Sequence, residues 1–270
     1  MIDKLTAFFS IIFLVTATSC NQNKSASLPV NMDDSSRVII DRAIAYAGGY
    51  ETWQQKKTLS FDKHSISYDS TGKVVREVKQ HFDYMLKPEF RAKVVYTFND
   101  TTFMLGHDGQ IARKIINGKV STEQKDIDQA WNSSFGSQFV ISMPYKLKDP
   151  GINAEYLGQL IMNDGTPAQV VKTFYTKGAG SNPGHVWYYY FDPGTGKLLA
   201  NSLTWEKNKW DFTRYITFEK TGGLLMPALR KSYAADSLNK PTWQVSESTH
   251  SNITFDKEFP SDYFKIPDGE

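Results

Sequence analysis

Among 270 residues there is one cysteine, Cys20, so no disulfide can close within the chain. Charge of one sign is equally scarce: 31 basic and 29 acidic residues leave a formal +2, and the two signs are interspersed. A nucleic-acid reader would need a basic patch or a recognisable reading module, so no nucleic acid is expected as a partner. The one long apolar run, Leu5 to Val15, is shorter than the roughly 20 residues that cross a bilayer. Catalytic and metal signatures are missing too. His64, His81, His107, His185 and His250 stand singly at polar positions or in loops, without the His-Glu-x-x-His spacing of a metal site, and read as surface residues. No Gly-x-Ser-x-Gly elbow offers a nucleophile. The Gly-rich stretch Gly178–Gly184 lacks the Lys-Ser/Thr ending of a phosphate loop and reads as a hairpin tip. No metal, cofactor or catalytic residue is expected, although primary structure does not exclude two carboxylates facing each other across a cleft.

What is present begins at the N-terminus. The run Leu5 to Val15, followed by small residues, reads as an export signal absent from the mature protein, although Asp3 offsets Lys4 in its charged region. The pattern Ala17-Thr18-Ser19-Cys20 resembles the bacterial lipobox, which implies cleavage before Cys20 and a lipid on its sulfur. The alternative is an ordinary secretory signal with a chance cysteine, but an unpaired thiol in an oxidising compartment is a liability unless it is modified. Asn21 to Asp34 is polar and contains Pro29, as suits a flexible stalk. The expected division is a signal peptide over 1–19, a lipidated tether over 20–34 and a single domain over 35–270. Asn21, where some bacteria use an aspartate to retain lipoproteins at the inner membrane, and the absence of an acidic run in Gln22–Ala26 suggest the outer membrane, facing the periplasm.

The body reads mainly as β. Asp34 or Ser35 can cap a helix over 36–47, with Ile40, Ala43, Ile44 and Ala47 on one stripe and Gly48-Gly49 ending it. Leu59 and Phe61 are apolar at odd positions and Ile66 and Tyr68 at even ones, a slip that suggests a bulge. Val74–Leu86 and Phe90–Phe98 alternate, and turns at Asn99-Asp100, Asp108-Gly109 and Asn117-Gly118 mark consecutive hairpins. One helix interrupts the meander from Asp126 to Ile141, with Ile127, Trp131, Phe135 and Phe139 spaced four apart as a bulky ridge. With aromatic content at 14%, the chain fits a long curved antiparallel sheet of roughly eleven strands and two helices better than a βαβ fold.

Three features point to an interior. Val186–Phe191, Val-Trp-Tyr-Tyr-Tyr-Phe, is apolar on both faces and must be covered on both sides. Arg214 lies in phase with Phe212, Ile216 and Phe218, and Glu247 in phase with Trp243 and Val245, so both are candidates for a paired or headgroup-binding charge inside an apolar cavity. A parity slip that returns either side chain to solvent is the plainer alternative. The aromatic helix is expected to plug the concave face.

The segments Gly48-Gly49-Tyr50-Glu51-Thr52-Trp53, Met143-Pro144-Tyr145-Lys146-Leu147-Lys148-Asp149-Pro150-Gly151 and Tyr189-Tyr190-Phe191-Asp192-Pro193-Gly194 resemble an uncharacterised family of Gram-negative lipoproteins. More distantly the chain is similar to periplasmic lipoprotein carriers and outer-membrane lipoprotein receptors. That resemblance implies a half-open antiparallel barrel lined with apolar residues and plugged by helices. Three functions remain open: an apolar or lipid-like ligand held in the concavity, an interaction or scaffold protein with a filled core, or a hydrolase of an envelope lipid or glycan. For the first, the expected ligand-facing residues are Trp131, Phe135, Phe139, Trp187, Tyr189, Arg214 and Glu247.

Overall fold

The computed structural model describes residues 30–176, 185–206, 209–238 and 240–267. Cys20, with the expected signal and most of the expected tether, lies outside them, as does the Gly-rich stretch 178–184.

Two meanders form one fourteen-stranded curved sheet. The first runs outward from β2 (Thr58–Tyr68) through β3 (Val74–Met85), β4 (Arg91–Phe98), β5 (Thr101–His107) and β6 (Ala112–Ile116) to β7 (Lys119–Val120) at one edge. The chain then crosses the sheet and starts again near the opposite edge with β8 (Ile152–Ile161), followed by β9 (Pro167–Tyr175), β10 (Val186–Phe191), β11 (Leu198–Glu206), β12 (Lys209–Thr221), β13 (Leu224–Ala235) and β14 (Pro241–Phe255). β14 pairs with β2, so the two meanders meet in the middle. A two-residue strand, β1 (Asn31–Met32), adds to β8 in parallel. The result is the expected half-open barrel, with more strands than the roughly eleven expected, in part because β1 and β7 are too short to show a period.

Local chemistry sets the turns and caps. Asn99 and Asp100, at φ 47° and 58°, and Asn117 and Gly118, at 48° and 82°, supply the left-handed pairs that close tight hairpins. Helix α1 (Asp34–Tyr46) starts earlier than expected, because its cap is Asp33 rather than Asp34 or Ser35. One Asp33 carboxylate oxygen accepts the Ser36 N–H at 2.8 Å and the other accepts the Tyr156 N–H at 2.8 Å, tying the helix start to β8. The folded body therefore begins at Asn31, inside the stretch read as tether. Gly48, at φ 113°, ends α1 where a Cβ would lie 2.2 Å from the Gly223 carbonyl, so only glycine lets the helix end touch the β12–β13 hairpin. The segment carrying Trp53 forms a short helix, α2 (Tyr50–Gln54).

The crossing segment holds α3 (Gln124–Ile141) and a tight helical turn at Tyr145–Lys148, both laid across one face of the sheet. That inner face carries the main core, in which Ile40, Ala43 and Ile44 of α1 and Ala130 and Ile141 of α3 pack with Leu59, Phe61, Phe82, Tyr84, Tyr189 and Phe191. A smaller cluster on the outer face joins Met162, Ala168, Val170, Tyr190, Ala200 and Phe212. Val186–Phe191 is thus covered on both sides, as its composition requires. Its odd residues enter the main core and its even ones the outer cluster.

The expected bulge in β2 is absent. β2 and β3 keep register from Thr58 to Ser67, so Leu59, Phe61, Lys63, Ser65 and Ser67 share one face, and that face turns polar halfway along.

Candidate ligand-binding cleft

Helix α3 lies at the expected position but rolled about its axis. The side chains it buries are Asp126, Ala130, Ser134, Gln138 and Ile141, and it packs on β5 and β6. The aromatic ridge is one residue further along, about 100° around the helix. The middle of the sheet-facing stripe is small, Ala130 and Ser134, and Asp126 is held there by Lys114 and Ser121. The ridge is therefore not a solid plug: Trp131 is 40% exposed, and Ile127, Phe135 and Phe139 are half-buried.

That ridge forms one wall of a cleft of about 320 Å³, whose other wall is Lys146, Asp149, Pro150 and Tyr175. A second lobe of about 310 Å³ runs toward Tyr50, Trp53, Leu86 and Phe90, sharing Phe135, Gln138, Lys146 and Asp149 with the first. Each lobe alone lies at the small end of ligand pockets. The aromatic walls are continuous: Trp131 and Phe135 lie 4.8 Å apart, Phe135 stacks on Phe90 at 4.4 Å, and Phe139 approaches Trp187 at 5.7 Å and Tyr175 at 6.2 Å. Trp187 in turn stacks over Tyr189 at 6.2 Å. Tyr189 is 1% exposed, and its buried hydroxyl has no hydrogen-bond partner among the described residues.

The polar part of the cleft comes from the turn after α3. Tyr145 stacks on Trp53 at 5.0 Å and donates its hydroxyl hydrogen to the Ala47 carbonyl at 2.5 Å, which fixes the turn beneath α1 and α2. Lys146 and Asp149 then point into both lobes as an ion pair. Burial raises the Asp149 carboxyl, and the Lys146 ammonium pulls it back. Burial likewise raises the Tyr175 phenol, which stays protonated.

Of the expected site residues, the structure brings Trp131, Phe135 and Phe139 to one cleft, while Trp187 packs behind Phe139 and Tyr189 lies buried beneath Trp187, neither lining it. Arg214 and Glu247 are elsewhere. They share a face, since Lys231 pairs with Arg214 on one side and Glu247 on the other, but it is the outer face. Arg214 pairs with Asp164 at 2.5 Å and Glu247 with Lys231 at 3.2 Å. Parity put Arg214 with Phe212 correctly. Phe212 is buried by the outer cluster, so being in phase with it marks the outside.

The histidines also need correction. His107 and His250 are 2% and 3% exposed. His107 packs 5.1 Å from both Trp131 and Phe135, behind the ridge, and burial lowers its pKa and keeps the ring neutral. The sequence missed Gln138, Lys146, Asp149, Pro150 and Tyr175, because none stands out by period. The only pointer to three of them is the Met143–Gly151 segment, which carries part of the family resemblance.

The model of a family of unknown function, DUF6503, matches residues 12–224. The chain belongs to this family. Membership says nothing of activity, and no curated protein matches the chain. Among solved structures, the chain shares its fold with a LolA superfamily protein from Nitrosomonas europaea, at TM-score 0.54 and 8% identity over 86% of this chain and 97% of that one. A DUF1329 family protein from Desulfovibrio piger aligns at TM-score 0.53 and 14% identity over 86% and 98%. A putative outer membrane lipoprotein-sorting protein domain from Vibrio parahaemolyticus aligns at 0.52 and 10% over 86% and 96%. At these identities the likeness is one of fold. It agrees with the distant resemblance to lipoprotein carriers seen in the sequence.

Proposed function

We propose that the protein is a cell-envelope lipoprotein, anchored through a lipid on Cys20 to the outer membrane and facing the periplasm, that shelters an apolar or lipid-like ligand between α3 and the β8–β10 side of the sheet. The observation that carries this reading is the orientation of α3. A helix that packs Ala130, Ser134 and Gln138 on the sheet while Trp131, Phe135 and Phe139 line an open cleft presents greasy surface to something other than its own core. The fold shared with a putative lipoprotein-sorting domain supports a carrier more than a scaffold. Binding rather than catalysis suits the cleft's charges, because Lys146 and Asp149 neutralise each other.

Native mass spectrometry of the protein purified from its own envelope tests the ligand. An apolar molecule copurifying with wild type and lost from Trp131→Glu is expected, whereas an empty protein in both cases would favour a filled-sheet scaffold. Metabolic labelling with an alkyne fatty acid tests the anchor. Labelling of Cys20→Ser as strong as wild type would overturn it.

A further inference from the structure

The opposite flank of α3 faces a compartment of different chemistry. Beyond Phe61 the inner face of β2 continues as Lys63, Ser65 and Ser67. Register sets Lys63 between His250 and Gln80, Ser65 between Ser248 and Val78, and Ser67 between Ser246 and Arg76. Gln129, Ser133 and Ser137 of α3 close over them, leaving a cavity of about 320 Å³. Arg76 lines the cavity with Lys63, and Arg230, one strand further and just outside that lining, sits opposite both Ser248 and Tyr215.

No carboxylate lines this cavity among the described residues. Arg230 is 9% exposed, and its Nε is buried without a hydrogen-bond partner. The Lys63 ammonium has no ion-pair partner among the described residues, and the charge that acts on it is Arg230 itself. Burial and this neighbour bring Lys63 down to about 8, and His250, between the two cations and its own burial, is held neutral. The nearby acids are engaged elsewhere. Asp126 pairs with Lys114 at 2.8 Å, and Asp62 and Glu77 lie on the outer face with His81 and His64.

Cations removed from water without counter-charge are destabilising unless an anion completes them. Hydroxyl groups arrayed around two such cations add donors but no charge, which suits an oxyanion with several acceptor atoms better than a single carboxylate. We propose that the Lys63–Arg230 compartment, with Ser65, Ser67, Ser246 and Ser248, binds a phosphate group, carried either by a lipid headgroup or free in solution. The lipid source rests on the ligand reading of the neighbouring cleft, and the site for the phosphate does not.

The test is calorimetric titration of the full chain, held in phosphatidylcholine nanodiscs and corrected against empty discs, with dihexanoyl phosphatidic acid, dihexanoylglycerol and inorganic phosphate. Phosphatidic acid is expected to bind more tightly than dihexanoylglycerol. Arg230→Met and Lys63→Met should each weaken it by about tenfold or more, the loss expected for a charge-assisted hydrogen bond, while leaving dihexanoylglycerol unchanged. Inorganic phosphate binding with the same sensitivity would identify the free ion as a sufficient ligand and support the site. Ser65→Ala with Ser248→Ala, which keeps both cations, gives a second, milder variant pair, and near-ultraviolet circular dichroism checks that each variant is folded. If phosphate binds and neither lipid does, the cleft reading fails and the phosphate site stands. If dihexanoylglycerol binds as tightly as phosphatidic acid and phosphate does not bind, or the folded variants bind phosphate ligands like wild type, the phosphate site is overturned.

Discussion

The two flanks of α3 differ more than any two faces of a soluble helix need to. One shows Trp131, Phe135 and Phe139 to an open cleft, and the other shows Gln129, Ser133 and Ser137 to a cationic cavity, while the narrow stripe between them seats the helix on β5 and β6. A helix that only filled a barrel would turn its aromatics inward. This one acts as a partition, and what it separates is an apolar compartment from a polar one.

The largest effect that would blur this contrast comes from the floor common to both sides. Phe82 lines the polar cavity, stacks on Phe61 at 4.7 Å and approaches Tyr84 at 6.1 Å, and Tyr84 leads through Phe90 to the cleft. Phe82→Ala is expected to cost about 3 to 5 kcal/mol in urea unfolding. A loss under about 1 kcal/mol would mean that the floor is not packed. The polar side should respond in the opposite sense: Arg230→Met removes a buried cation and should raise stability by about 1 to 4 kcal/mol in the absence of anion. Destabilisation there would show that the Tyr215 contact satisfies the guanidinium on its own.

Proton linkage sharpens the same side. The Lys63 amine, at about 8 in the folded chain against 10.5 in the unfolded one, loses its proton earlier when folded. Between those values the unfolded chain holds more protons, so stability is expected to rise with pH from about 8 upward. The groups facing Lys63 are Arg230, which keeps its charge, and His250, already neutral, so Lys63→Met should flatten the rise. An unchanged slope of urea midpoint against pH in that variant would refute the assignment.

On the apolar flank, Trp131→Ala is expected to cost only about 1 kcal/mol, because the side chain is part exposed, while uptake of an apolar fluorescent dye increases as the cleft widens. A cost near that of Phe82→Ala with no dye uptake would make the ridge core after all. The smallest effect belongs to the outer face. Arg214→Met and Glu247→Gln should add within about 0.5 kcal/mol, since each residue has its own partner.

The alternation in β3 and β4, the Asn-Asp and Asn-Gly hairpins, the double-sided Val186–Phe191 strand and the existence of α3 were all legible from spacing. The roll of α3 was not, because Ile127, Trp131, Phe135 and Phe139 form the stronger apolar stripe and nothing in one sequence says that Ala130, Ser134 and Gln138 will be preferred for close approach. The site suffered from the opposite problem. Arg214 was conspicuous because apolar neighbours surround it in phase, yet those neighbours serve a second, outer cluster. Lys63 was hidden because the polar run Lys63, Ser65, Ser67 looked like a slip in register. A polar interior and a bulge leave the same trace in a pattern of period two. Only the pairing of β2 with β3 and β14 tells them apart.

The seam between the two meanders has a consequence for how the chain is made. Ser60 pairs with Thr254, so the middle of the sheet joins strands from opposite ends of the chain. During synthesis β2–β7 and β8–β13 can each zip up locally, but β2 and β13 keep raw edges until residues 241–255 have emerged. The last strand to appear is thus the one that closes the fold, and it does so across the longest loop in the molecule, a slow step. A chain halted before Pro241 would hold two unpaired strand edges at once and would tend to add other strands to them, so synthesis must deliver the final strand before the rest is left unattended.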